Sequence, residues 1–189
     1  MILTNNYPKY PKDNKYFPLV DLEHFHEVVV QWALDRNLLE GTTNLKQCKK
    51  FHEEKGEMLG NIIDGKDIRD DIGDCLVIIV QMIWREESTL KLKSIVENCD
   101  LYGTNQSKLD GVDFYNTFAC EAEALIDSTM RGFAVHYEWC VEELYLLARH
   151  FGFTLLECCE IAFNDIKDRK GKMINGSFVK EVKKRLFRS

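Results

Sequence analysis

The sequence predicts an all-α protein, a single domain folded as an antiparallel helix bundle. Two observations carry this. All three prolines of the 189 residues fall at or before Pro18, so the remaining 171 contain no helix breaker of that kind. Apolar residues then recur at three- and four-residue spacing along much of the chain. At 45% hydrophobic and 30% charged, the chain is long enough to bury one core. No internal repeat, low-complexity tract or Gly/Ser linker divides residues 1–189.

The elements follow in order. Residues 1–19, with Lys, Tyr and Pro but no apolar core, read as an extended arm and not as a secretory signal. Asp21 caps a helix running to about Asn37, with Phe25, Val28, Val29, Trp32 and Ala33 as its apolar stripe. Gly41-Thr42-Thr43-Asn44 is a break, and a second helix covers Leu45 to about Asp64, stopped by Gly65. A third runs from about Asp67 to Glu87, with Ile68, Ile72, Cys75, Ile79 and Met82 at helical spacing. A short helix over Leu90–Asn98 precedes a polar loop over Tyr102–Gly111. Helices resume over Asp113–Met130, Val135–Phe151 and Leu155–Asp168, the last opened by the capping-box pair Thr154 and Glu157. Asn175-Gly176, between two short apolar pairs, signals a small type I′ hairpin within the tail 171–189.

Charge is unevenly placed. Residues 167–189 hold nine basic and two acidic side chains, a charge of +7, which leaves −13 on the first 166. An acidic body repels nucleic-acid phosphates, and the basic tail offers only Phe178 and Phe187 for stacking, which argues against nucleic acid as partner. The distribution suits a site with metal in the body and phosphate at the tail. No apolar run approaches the roughly 20 residues of a membrane helix. Seven cysteines without a CxxC pair read as small reduced core residues of an intracellular, cytoplasmic protein. No HExxH occurs, and His24 and His26, two apart, fall on different helix faces.

The chemistry lies in carboxylates. Glu54 and Glu57 are three apart on the second helix, as are Asp71 and Asp74 on the third, so each pair shares a face. Glu54 falls within the stripe of Phe51, Met58 and Ile62, and Asp71 within that of Ile68 and Cys75. Carboxylates on core-facing stripes are costly unless compensated. Two helices joined by a tight turn pack antiparallel, so the four could converge, and a hard divalent cation, Mg²⁺ or Mn²⁺, is the natural remedy for oxygen-only ligands that repel one another. The bland alternative is a solvated acidic face with salt bridges to Lys50 and Lys55. Di-iron chemistry is disfavoured, since neither Glu53 nor Glu54 has a His three residues on. Gly56 and Gly73 each precede the last acid of a pair, where a missing side chain permits close helix approach or ligand access, or is merely tolerated.

Lys50-x-x-Glu53-Glu54-x-Gly56-Glu57, 13 residues, then Asp71-x-Gly73-Asp74 before an apolar helix resembles the MazG-type all-α nucleoside triphosphate pyrophosphohydrolases. Their signature is ExxE, a spacer, then ExxD. Asp71 stands where the family usually has Glu, and neighbouring Asp70 leaves open which of the two reaches metal. Asn164-x-x-Lys167-x-Arg169-Lys170 resembles the family's late phosphate-binding segment, and Gly171 to Lys180 resembles the end of bacteriophage members. The match covers about residues 45–85 and 155–180. The resemblance implies the family's all-α bundle and cleavage of a nucleoside triphosphate to monophosphate and pyrophosphate. It implies two or more Mg²⁺ ions (Mn²⁺ substituting) on Glu54, Glu57, Asp71 and Asp74. Glu53 would orient or deprotonate the attacking water, and Lys50 would act with Asn164, Lys167, Arg169 and Lys170 on the phosphates.

Some phage members act on deoxyguanosine triphosphate, and a purine deoxynucleotide is the expectation here. Phe17, Trp32, Phe118, Tyr137 and Trp139 are candidates for the base platform, each equally readable as core. Family members are dimers or tetramers, so a homo-oligomer is expected, with surplus apolar surface on the first helix. The competing reading is a non-catalytic nucleotide- or metal-binding regulatory module that keeps the acids and the basic tail without turnover.

Overall fold

The computed structural model describes residues 19–86, 88–102, 110–133, 135–174 and 177–181. The fold is all-α, with eight helices and one two-stranded hairpin among those residues. The expected arm (residues 1–18), most of the expected 102–111 loop, the hairpin turn 175–176 and the last residues of the tail (182–189) lie outside them.

Helix α1 (Leu22–Leu34) starts where the Asp21 carboxylate accepts from the His24 amide at 2.9 Å. It ends before Asn37 because Asn37 adopts φ 55, a left-handed conformation that Asn tolerates. One turn of helix that the sequence reading had not assigned, α2 (Leu38–Gly41), follows, and the expected break falls at Thr42 and Thr43. Thr43 then caps α3 (Asn44–Ile63). Gly65 closes α3 at φ 65, with its amide donating to the Ile62 carbonyl and the Lys66 amide to that of Asn61. This paired arrangement needs a left-handed residue and turns the chain sharply. Helix α4 (Arg69–Arg85) therefore runs back along α3: Asn61 bonds to Asp71 near the turn, and Gln47 bonds to Gln81 at the far end.

Helix α4 is the hub. Every residue from Cys75 to Ile83 is buried, so the five-position stripe was too narrow a description. A helix buried on all sides is core by itself, and α4 touches α1, α2, α3, α7 and α8. The remaining helices are α5 (Leu92–Tyr102), α6 (Gly111–Arg131), α7 (Tyr137–His150) and α8 (Leu155–Ile166). A Cβ at Gly73 would strike the Cys158 carbonyl of α8 and stand 2.5 Å from the Ala162 methyl, whereas one at Gly56 meets nothing within 4 Å. Close approach thus requires Gly73 alone; Gly56 is tolerated.

The Thr154–Glu157 capping box opens α8 as expected, but the helix ends at Ile166 and not at Asp168. Strands β1 (Gly171–Ile174) and β2 (Ser177–Lys180) pair antiparallel, with Met173 opposite Phe178. None of the seven cysteines is in a disulfide, and five are buried. The α1 stripe is covered by its own chain, against α4, α5 and α8, which corrects the expectation of surplus apolar surface there. Exposed large apolar side chains are scattered over the surface, Leu34 of α1 and Ile63 of α3 among them, with Val112, Met130, Phe133 and Trp139 on or beside α6 and α7. No helix among the described residues is long and apolar enough to cross a membrane.

Candidate functional site

The antiparallel α3–α4 pair lines a cavity of about 340 Å³, bounded also by Trp32 of α1, Leu38 of α2, Ile166, Arg169 and the hairpin residues Met173 and Phe178. Lys50, Glu53, Glu54 and Asp74 mark one end. At the other, the Gln47 Nε2 group donates to Gln81 Oε1 at 2.9 Å, and Gln81 Nε2 donates to the Val77 carbonyl at 3.2 Å. Gln47 precedes Glu54 by seven residues and Gln81 follows Asp74 by seven, about 10.5 Å along each helix at the standard rise. The rest of the wall combines apolar Trp32, Leu38, Val77 and Ile78 with Thr42, Lys46 and Lys49.

At the acidic end, Glu54 is 5% exposed and ion-pairs with Lys50. Glu53 is exposed, 3.5 Å from Lys50 and 3.7 Å from Lys49. Burial pulls the Lys50 ammonium down, but Glu54 and then Glu53 outweigh it, so its pKa is raised. The Asp74 carboxyl is pushed up to about 7, first by burial, then by Asp70 and Glu54, with Arg169 pulling the other way. Asp71 is 7% exposed and accepts at both oxygens from Asn61 Nδ2, at 3.1 and 2.9 Å. Its carboxyl is also raised, by burial first and then, against the Asn61 bond, by Asp70, Glu54 and Glu57. Glu57 itself is exposed and does not line the cavity. Lys55 reaches across to Glu123 of α6 and takes no part in the cluster.

The donor set fits a hard divalent cation in its chemistry: oxygen-only ligands, two of them buried, crowding one another's charge. As placed, no three His, Cys, Asp or Glu side chains among the described residues are arranged to hold one ion. Glu54 is instead paired with Lys50 and Asp71 with Asn61.

The phosphate candidates divide. Arg169 lines the cavity and pairs with Asp165. Lys167 is buried, and Asn164 (half-buried) and Lys170 (exposed) stand outside the cavity lining. The segment is held in place from α1. Trp32 Nε1 donates to the Ile166 carbonyl at 3.0 Å, and Arg36 donates to those of Lys167 at 2.8 Å and Arg169 at 3.0 Å. These bonds tie the segment that follows α8 to α1.

Of the base-platform candidates, Trp32 lines the cavity. Phe118 and Tyr137 are core, Trp139 is exposed on α7 away from the cavity, and Phe17 lies outside the described residues. Sequence reasoning missed the cavity-lining Gln47, Gln81, Met173 and Phe178, and it left open the choice between Asp70 and Asp71; Asp70 acts more strongly than any other carboxylate on Asp74. The signal for Gln81 was an amide inside the apolar run Cys75–Ile83; for Asp70, its i,i+4 spacing to Asp74.

Comparison with known proteins adds little. The chain is similar to an uncharacterized 18.2 kDa protein encoded in the rep–hol intergenic region of Haemophilus phage HP1, at 42% identity over 64 residues. That stretch is 33% of this chain, and the chain spans 39% of the relative's length. No family model and no solved structure matches the chain.

Proposed function

We propose that this chain is a Mg²⁺-dependent nucleoside triphosphate pyrophosphohydrolase of the MazG type. It would cleave a nucleotide, with a deoxynucleotide such as dGTP the first candidate, to the monophosphate and pyrophosphate in the cytoplasm of a phage-infected host. The observation that carries this reading is the polarity of one cavity, with crowded carboxylates at one end and an apolar slot closed by an amide pair at the other. The separation of about 10.5 Å along each helix suits a nucleotide, whose phosphate and base edge lie at opposite ends of the molecule.

Glu54, Asp74 and Asp71, with Asp70 and Glu57 close by, would hold Mg²⁺. Bound there, Mg²⁺ neutralises phosphate charge and acidifies an attacking water. Glu53, exposed at the cavity and one residue from Glu54, would orient or deprotonate that water. Lys50 and Arg169 would meet the charge of the pyrophosphate leaving group. Trp32, Met173 and Phe178 would flank the base. Phage relatedness is the support for the host-cytoplasm setting. The exposed apolar residues on α6 and α7 are the support for assembly as a homodimer or homotetramer.

A second reading is a nucleotide-binding module without turnover. In its favour, no three carboxylates among the described residues are arranged for one ion as placed. The test of both is the eight common ribo- and deoxyribonucleoside triphosphates with Mg²⁺ and with Mn²⁺, products separated by chromatography. Monophosphate plus pyrophosphate from one or a few is the expected result. Binding without cleavage supports the module, and cleavage to diphosphate plus phosphate contradicts the pyrophosphohydrolase.

A further inference from the structure

We infer that Gln47 is a specificity-determining residue that sorts bases by the order of donor and acceptor on their edge, because Gln81 prevents its amide from flipping. The inference rests on the cavity's being a nucleotide site. A side-chain amide offers an oxygen that accepts and a nitrogen that donates, and a freely rotating one presents them in either order. Here the order is imposed. The Val77 carbonyl can only accept, so the Gln81 nitrogen must face it, at 3.2 Å. Gln81 is 4% exposed, which holds it in that orientation and turns its oxygen to Gln47. The Gln47 nitrogen must then face that oxygen, at 2.9 Å. Among the described residues this is the one hydrogen bond of the Gln47 side chain, leaving its oxygen and its second N–H in a fixed order at a half-buried position on the cavity wall.

Natural bases fall into two classes against such a reader. Adenine and cytosine carry an exocyclic amino donor beside a ring-nitrogen acceptor. Guanine and thymine carry an exocyclic oxygen acceptor beside a ring N–H donor. A fixed amide satisfies one class and sets like against like in the other, leaving buried polar groups unpaired. The distinction between purine and pyrimidine is separate, since ring size is sensed by the apolar walls.

Calorimetric titration of wild type and Gln81→Leu with dAMP, dGMP, dCMP and dTMP tests this. Wild type should favour the same class, amino or oxo, within the purine pair and within the pyrimidine pair, by about tenfold or more. Gln81→Leu, near-isosteric in a buried position, frees Gln47 to rotate and should bring each pair to within about threefold. Should that variant fail to fold, Gln47→Leu at its half-buried position is expected to erase the preference in the same way. Equal binding of the two classes by wild type, or a preference that survives in a folded variant, overturns the inference while leaving the nucleotide site standing. Binding of none of the four by wild type overturns both.

Discussion

Two acid clusters in this molecule are alike in their electrostatics and unlike in their company. In the first, Asp74 is pushed up to about 7 by burial and by Asp70 and Glu54. In the second, Glu143 of α7 is pushed up to about 7 by burial, Glu121 and Glu142, and one of its oxygens is buried without a hydrogen-bond partner among the described residues. The second cluster borders a smaller recess of about 220 Å³ lined by three glutamates and Trp139. Among the described residues no Lys or Arg lines it, and it has no apolar slot. The first has Lys50 and Arg169 at hand and opens into an apolar cavity with an amide pair at its far end. Crowded carboxylates alone therefore do not mark a site. What separates the two is that, under the proposed function, only the first has groups that would complement the rest of a nucleotide: cations for phosphate, and apolar walls with an amide for a base.

Breaking that difference should have its largest effect on turnover. Glu54→Gln and Asp74→Asn are each expected to lower Mg²⁺-dependent pyrophosphate release by about a hundredfold or more, beyond what loss of an outer-shell partner costs. Glu143→Gln should stay within about twofold of wild type. Helical circular dichroism must be unchanged in all three for the comparison to count; activity retained in both first-cluster variants would contradict the assignment.

The next effect is on packing. Gly73→Ala forces a methyl against the Cys158 carbonyl and Ala162, beside Asp74, and should lose about 1–3 kcal/mol in urea unfolding. Gly56→Ala adds a methyl in open space and should gain up to about 1 kcal/mol. Equal effects from the two glycines would contradict the close α4–α8 approach.

The smallest effect sharpens the second cluster. Glu143 has a folded pKa of about 7 against an ordinary 4.5, so the folded state holds the proton more tightly than the unfolded chain. Stability should fall as pH rises between those two values and level off above them. Glu143→Gln should flatten this dependence and be the more stable protein at pH 8, by on the order of 1–2 kcal/mol. A thermal-melting series across pH 4–8 reads the sign directly, and a steeper dependence in the variant would refute the burial argument.

Much of this was legible in the sequence where local spacing decides the outcome. Glu54 and Asp71 sit three and four residues from apolar neighbours and are indeed buried, Asp21 and Thr154 with Glu157 start their helices, and Gly65 closes α3, as their chemistry dictates. What stayed hidden depends on contacts between distant segments. The hairpin was readable from Asn175-Gly176, but its seat was not. Met173 packs over Gly41, where a Cβ would stand 3.1 Å from its Cγ, and so reaches the cavity. The Gln47–Gln81 bond joins residues 34 apart, and the Arg36 bonds to Lys167 and Arg169 join residues more than 130 apart. Neither pairing has a local signature. Asn37 broke the first helix through a left-handed backbone that an apolar stripe does not report.

The central claim is that the Asp74 cluster, and not the Glu143 cluster, takes the divalent cation together with a nucleotide. Electron paramagnetic resonance of Mn²⁺ titrated into wild type, Asp74→Asn and Glu143→Gln, each with a deoxynucleoside monophosphate, tests it most directly. The account predicts bound Mn²⁺ in wild type and Glu143→Gln, and its loss in Asp74→Asn. Full Mn²⁺ binding by Asp74→Asn, or its loss in Glu143→Gln, would contradict it.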